Sequence, residues 1–463
     1  MCSLRSPDVV AHSRPRLWPL LAKELWTVVS GRALWTMLLI LCPIVGYSFF
    51  QAVSLYGEPS AAASGAPVLG SGLSPLDGVL VPTLGAFYVT VTLLFPFVAI
   101  RALGREIETG TIRLLAQLPY RAPTLVAAKM AAVATAWLIA FVPALSALAL
   151  WAALGGHLHP FETLTLLFGH FLYGMLIAAI ALFAASVAES AATAAIITLA
   201  VTIGSWVLDF TLAGQPGLLE WMSRLSLTQT LRPFEQGLFS VGTVIGILAA
   251  IAGFSALAAV CLHPGVAFRT KLTRSVLCVA ATGIVLTLAA QVRTAVDVTE
   301  DRRNSFPAAD QRALRELREP LVITVHLAPE DPRYVDLRRN VLSKLERTLP
   351  DVRIRLATSG QSVIGSESEK SYGDVEYVYG GRSDTSRSTS HREILPLLYA
   401  LAGVPVPAPA AGEDYPGYPL VANAHAVLPW FFGVLPMLII LLWWWSSRAP
   451  RPRFQSVEDG GRR

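Results

Sequence analysis

The stretch Arg101–Lys129, RALGREIETGTIRLLAQLPYRAPTLVAAK, decides how the rest of the chain is read. It holds four Arg, one Lys and two Glu between two long apolar runs that carry almost no charge. A charge at the bilayer centre costs at least ~2.5–3.5 kcal/mol, so a charged island between two membrane spans must lie outside the hydrocarbon. Its positive excess assigns it to the cytoplasmic side.

Composition agrees with that reading. Of 463 residues, 53% are hydrophobic and only 15% charged, and the mean hydropathy is +0.52. An ordinary soluble domain has about 25% charged residues, so that class is excluded. The net charge of +5 does not point to nucleic acid, because the basic residues cluster at the ends of apolar runs. Cys2, Cys42, Cys261 and Cys278 show no CxxC spacing, which supports neither a disulfide framework nor a zinc site. Met1–Arg32 lacks the uninterrupted apolar core of a cleavable signal.

A span needs ~20 apolar residues to cross ~30 Å of hydrocarbon. Eight stretches qualify: Leu34–Val53, Pro82–Ile100, Leu125–Leu154, Leu164–Val187, Ala191–Leu212, Val241–Leu262, Leu272–Ala290 and Leu428–Trp445. The third is long enough to tilt or to carry a cytoplasmic extension. The eighth ends in Trp443-Trp444-Trp445 with Arg448 behind it, an aromatic belt with a basic anchor. Loop charge then orients the chain. Arg14–Arg32, the island, Phe268–Arg274 and the tail are basic, whereas Gly57–Leu80 and Gly155–Thr163 contain no Lys or Arg. Both termini are therefore expected in the cytoplasm. Arg224 and Arg232 fall on the outer side and fit this scheme less well.

Before the first span, Leu17, Leu21, Leu25 and Val28/Val29 recur at helical spacing, with Trp18 and Trp26 beside them and Arg16, Lys23 and Arg32 for the wet side. That pattern reads as an amphipathic interfacial helix or as an extension of the first span. Thr211–Ser240 turns amphipathic as well, either as an outer helical re-entry or as an interfacial loop.

After the seventh span the chain becomes polar. Leu321–Leu327 reads as a buried strand, Tyr334–Leu345 as a helix, and Val352–Leu356 as a strand with one wet face. Val375–Tyr379 and Thr385–Thr389, around Gly380-Gly381, suggest a hairpin. Ser390-His391-Arg392-Glu393 is a capping box opening a helix that Gly403 closes. The order βαβ, hairpin, helix resembles part of a thioredoxin-like sheet. The fold class expected is thus a mainly α-helical polytopic membrane protein with about eight transmembrane helices. A small α/β extracytoplasmic domain lies between the last two. The division is 1–33 N-terminus, 34–274 six-helix core with a loop at 101–123, 275–291 span seven, 292–426 outer domain and Pro-rich linker, 427–446 span eight and 447–463 tail.

Arg105-Glu106-Ile107-Glu108-Thr109-Gly110-Thr111, then Leu114-Leu115 and Leu118-Pro119, with Lys129 opening the next span, resembles the first cytoplasmic loop of type-2 ABC transporter permeases. In that family a Glu-rich Gly-Thr turn leads a short helix that docks on the ATPase subunit. The resemblance implies an ATP-driven exporter permease, paired with itself or a sibling permease and with two ATPase copies. Its coupling residues would be Arg105, Glu106, Ile107, Glu108, Gly110, Thr111, Arg113, Leu114 and Pro119. Asp297-Val298-Thr299, Ser305-Phe306 and Leu317-Arg318-Glu319-Pro320 before Leu321–Val325 resemble the start of the auxiliary domain found with gliding-motility-type ABC permeases. Here that domain is shortened and fused. An ATPase-coupled envelope scaffold without transport is the alternative.

No GxxxxGK[ST] occurs, so no cofactor is expected on this chain, and ATP and Mg belong to the partner. No catalytic residue is proposed, since neither GxSxG nor another nucleophile motif is present. His157 and His159 have a recognisable metal-ligand spacing but read equally as interfacial histidines at a turn. Asp209 is the most embedded acid, near enough to the outer interface to snorkel. Membrane lipid is the remaining partner.

Overall fold

The structure is a computed structural model. It describes residues 17–65, 70, 72–111, 120–212, 226–263, 265–292, 294–328, 331–357, 372–408 and 415–448. Arg113, Leu114 and Pro119, with most of the expected docking helix, lie outside them, as do 213–225 and the Ser-rich 359–371. Among the described residues eight helices are long and apolar enough to cross a membrane, and the chain is a multi-pass membrane protein.

The first element, α1 (Leu17–Val29), is separate from α2 (Arg32–Gly65), with a break at Ser30-Gly31. Its buried stripe is Leu20, Glu24 and Val28, at four-residue spacing, and it packs against the following spans rather than continuing the first. Leu17, expected on the apolar face, is exposed. After a π-turn at Leu76–Leu80 comes α3 (Val81–Glu108). The head of the charged island is therefore helix, not loop: Arg101–Glu108 continues the second span outward. The third span is two helices, α4 (Ala122–Ala140) and α5 (Val142–Ala153). Pro143 follows the break, where its ring removes a backbone donor and crowds the carbonyl four residues back.

Next come α6 (Pro160–Val187), α7 (Ala191–Leu212) and the short α8 (Leu227–Glu235), which buries Leu231 and Phe234 against α6 and α7. A strand β1 (Leu238–Ser240) leads into α9 (Val241–Leu262), then α10 (Phe268–Gln291) and β2 (Ala295–Asp297). β1 and β2 pair antiparallel, Phe239 opposite Val296, so spans six and seven are stitched at one end. The main core joins α2, α3, α4, α5 and α6. Its close approaches need glycine: a Cβ on Gly174 of α6 would meet Trp137 of α4 at 2.5 Å.

The small domain holds α11 (Ala308–Arg315), β3 (Leu321–Val325), α12 (Pro332–Leu337), α13 (Ser343–Thr348), β4 (Val352–Leu356), β5 (Val375–Tyr379), β6 (Arg382–Ser386) and α14 (His391–Ala402). Strand order is β4-β3-β5-β6, with β3 and β4 parallel and the other pairs antiparallel. Ile323, Val325 and Tyr377 of the sheet pack against Leu337, Leu345, Ile394 and Leu398. The second hairpin strand starts at Arg382, three residues before the expected Thr385. Gly380 and Gly381 have φ of +57° and +75°, so a two-residue turn starts pairing at once. The last span opens with a 3₁₀ turn and a π-turn and ends in α15 (Leu435–Arg448), where Arg448 lies 3.8 Å over the Trp444 ring.

Candidate functional site

The tip of α3 is held by charges drawn from three helices. Lys129, about two turns into α4, points inward with 1% of its side chain exposed, as does Glu24 of α1. An ammonium in such a place needs partners. The Lys129 Nζ donates to Glu24 Oε2 at 2.9 Å and to the Ala102 carbonyl at 2.6 Å. It also lies 2.7 Å from Glu106 Oε2. Lys23 Nζ donates to Glu24 Oε1 at 2.9 Å and to Glu106. Two cations and two carboxylates thus close a neutral ring that bolts α1, α3 and α4 together. Burial pushes the Lys23 ammonium toward neutrality, but the Glu106 bond and the charges of Glu24 and Glu106 outweigh it and raise its pKa.

The expected docking residues divide accordingly. Glu106 is largely buried in this ring, and Ile107 packs against the main core. Glu108 Oε1 accepts from the Ala191 amide at 3.1 Å, so it caps α7. These three side chains face their own chain. Arg105 is exposed; Thr109 Oγ1 sits 2.7 Å from Thr111 Oγ1, and Gly110 takes φ +70°, the left-handed turn that ends the helix. Glu24 was missed by sequence reading, and Lys23, expected on the wet side, turns its ammonium to Glu24 and Glu106. Lys129 was the available signal: an isolated Lys in an apolar run requires buried carboxylates.

A second polar junction lies where the small domain meets the opposite helix ends. The Asp297 carboxylate accepts from Thr299 N at 3.1 Å, Thr299 Oγ1 at 2.5 Å, Asn304 N at 3.0 Å and Ser305 Oγ at 2.7 Å, fixing the 298–305 loop. From that loop the Glu300 amide donates to Glu162 Oε1 at 2.6 Å, at the start of α6. Arg303 pairs with Asp77 and Asp301, and donates to Ser74 Oγ at 2.7 Å. Burial works against its charge, and the two carboxylates hold its pKa up. Glu300 Oε2 lies 2.8 Å from His157 Nε2, and Glu300 Oε1 accepts from Tyr418, whose hydroxyl it pushes up to about 12. The Tyr418 ring stacks on His157, with centroids 3.6 Å apart.

His157 is thus engaged by Glu300 and Tyr418, while His159 precedes α6 and His170 is buried within it. Among the described residues no group of three His, Cys, Asp or Glu can hold a metal ion. Asp209 belongs to α7, but its side chain lies outside the described ones.

Residues 18–242 match the family described as ABC-2 family transporter protein. Neither the curated proteins nor the solved structures offered a match to the chain.

Proposed function

From a chain whose residues 18–242 carry an ABC-2 family transporter domain, we propose an ATP-driven exporter in which this protein is the permease and a separate ABC ATPase supplies hydrolysis. ATP and Mg sit on that partner, present in two copies, and a second permease chain, identical or sibling, completes the path. The island faces the cytoplasm of a bacterial cell, with both termini, and the domain after span seven lies outside the inner membrane.

One observation carries the reading: the ion-pair ring of Lys23, Glu24, Glu106 and Lys129 at the root of the island. A push on the segment after Gly110 cannot be absorbed by bending there, because its root is locked to α1 and α4 together. Arg105, Gly110, Thr111, Arg113, Leu114 and Pro119 form the contact with the ATPase. Glu106, Ile107 and Glu108 transmit, tying the lever to α1, α4 and α7. The small domain is a shortened, fused auxiliary domain of the gliding-motility type. Its fastening to the starts of spans two and four supports a second reading, in which the output is movement of that domain and no cargo crosses.

Gly110→Pro forces φ to about −65° where +70° is required. Co-purification of the full chain with its ATPase is expected to fall at least about tenfold, while membrane expression holds; a tenfold loss is ~1.4 kcal/mol. Undiminished recovery of the complex overturns the assignment.

A further inference from the structure

Spans three and seven both pack on α9, and a groove of about 940 Å³ lies among the three. That volume falls within the range of small-molecule sites, ~300–1,000 Å³. Its floor is the small-residue face of α9, Ala252, Ser255, Ala256 and Ala259, and Val126 and Met130 of α4 form one wall. From Ile251 to His263 the floor runs twelve residue steps, about 18 Å at ~1.5 Å per step, close to one leaflet of a ~30 Å hydrocarbon core.

Charge is confined to one end. Arg121 precedes α4, His263 follows α9 and Arg274 lies in the second turn of α10, and all three line the groove at the end that bears the charged island. No Asp or Glu is among the described lining residues. An apolar trough one leaflet deep with a cationic mouth is complementary to an amphiphile with an anionic head and acyl chains.

We propose that this groove binds an anionic phospholipid from the leaflet on the island side, with its phosphate between Arg121 and Arg274 and its chains along α9. A second copy of this chain is the weaker occupant. Two copies inserted in the same sense bring like charges to the same depth, and their mouths repel. The site lies apart from the ion-pair ring and does not depend on the ATPase.

The test is native mass spectrometry of the full chain in mild detergent, offered phosphatidylglycerol and phosphatidylcholine in equal amounts. Phosphatidylglycerol is expected to be retained preferentially. Arg121→Gln with Arg274→Gln lowers that preference about thirtyfold, the conversion of ~1 kcal/mol for each cation. Arg269→Gln, at the same end but outside the groove lining, leaves it unchanged. Ala256→Trp, which fills the floor, lowers retention of both lipids, and excess glycerol phosphate displaces neither. An unaltered preference in the double Arg variant overturns the proposal, as does an equal loss in Arg269→Gln, which would mean diffuse attraction. Displacement by glycerol phosphate alone would make it a free-phosphate site. Rapid disulfide linkage between two copies of an Ala256→Cys chain would make the groove an interface. Unchanged gel-filtration profiles show that each variant is folded.

Discussion

Two polar assemblies sit at opposite ends of the same helices, and they are built on opposite plans. The Lys23/Glu24/Glu106/Lys129 ring is compact, balanced and largely sealed, with Glu24 and Lys129 each 1% exposed. The junction around Asp297, Glu300 and Arg303 is acid-rich and half wet, with Asp77 52% exposed. In the ring Glu24, Glu106 and Lys129 depend on one another because they have little water to fall back on, while Lys23, 32% exposed, closes the wet side. In a wet junction each lost contact is partly replaced by solvent. The ring therefore suits a part that must move as one piece, and the junction a part that can be loosened one bond at a time.

The harshest way to break this contrast is Lys129→Met. It leaves Glu24 and Glu106 buried with Lys23 alone, and removing one member of a buried pair costs about 3–5 kcal/mol. The expected result is a large loss of monodisperse protein and a lowered melting temperature of the full chain in detergent. Adding Glu24→Gln to Lys129→Met is expected to recover part of the loss, since neighbours in one network are not additive. A single variant costing under ~1 kcal/mol would mean that the ring is wetter than its burial implies.

At the other end, Asp297→Ala strips the 298–305 loop of an acceptor for five donors. Hydrogen bonds to a charged group are worth ~1.5–3 kcal/mol, and solvent replaces part of these, so about 2–3 kcal/mol is expected locally. Limited trypsin cleavage at Arg302 and Arg303 should accelerate while cleavage near the island stays at the wild-type rate. Simultaneous acceleration at both ends would show that the two assemblies are not separate. Milder still is His157→Phe, which keeps the stack on Tyr418 and loses only the Glu300 contact. About 1 kcal/mol or less is expected, read as a small rise in hydrogen exchange across 415–420.

Eight apolar runs were legible because a span is a one-dimensional signal: length and hydropathy suffice. The succession of elements in the small domain, βαβ, hairpin and helix, was legible from its apolar periodicity and turn residues, whereas the placing of β5 beside β3 was not. The capping box and Gly403 fell where the helix begins and ends, with Ser390 Oγ accepting from Arg392 N and Gly403 at φ +69°. The ring was illegible for a physical reason. Lys23, Glu24, Glu106 and Lys129 are separated by more than a hundred residues at the extreme, and on α1 the sequence equally allows a stripe of Leu17, Leu21 and Leu25. The buried stripe is rotated by one position so that Glu24 enters it. Only the demand of Lys129 for a counter-charge selects that rotation, and it is visible only once the helices are side by side. Likewise Glu106 and Glu108 read as part of a docking loop, whereas as the last turn of α3 they reach α4 and α7.

Lys344 gives the finest test, because it is a buried lysine without the carboxylates that Lys129 has. It is 7% exposed, its Nζ lies 5.7 Å over the Phe306 ring, and none of the described acids is within ion-pair distance. Burial lowers its pKa below the ordinary 10.5, with Asp297 and Asp301 opposing at a distance. The sign follows from linkage. The native state binds this proton less readily than the unfolded chain, so the penalty is fully present below the folded pKa and fades as pH rises toward 10.5. Lys344→Met removes the penalty and keeps the volume. It is expected to stabilise the small domain by about 0.5 kcal/mol near neutral pH, with the advantage over wild type shrinking in alkaline buffer. Hydrogen exchange of β3 and β5 in the full chain reads this directly. If Lys344→Met destabilises at every pH, the cation over Phe306 is itself a fastening, and wet and sealed charges differ less than the two ends of the molecule suggest.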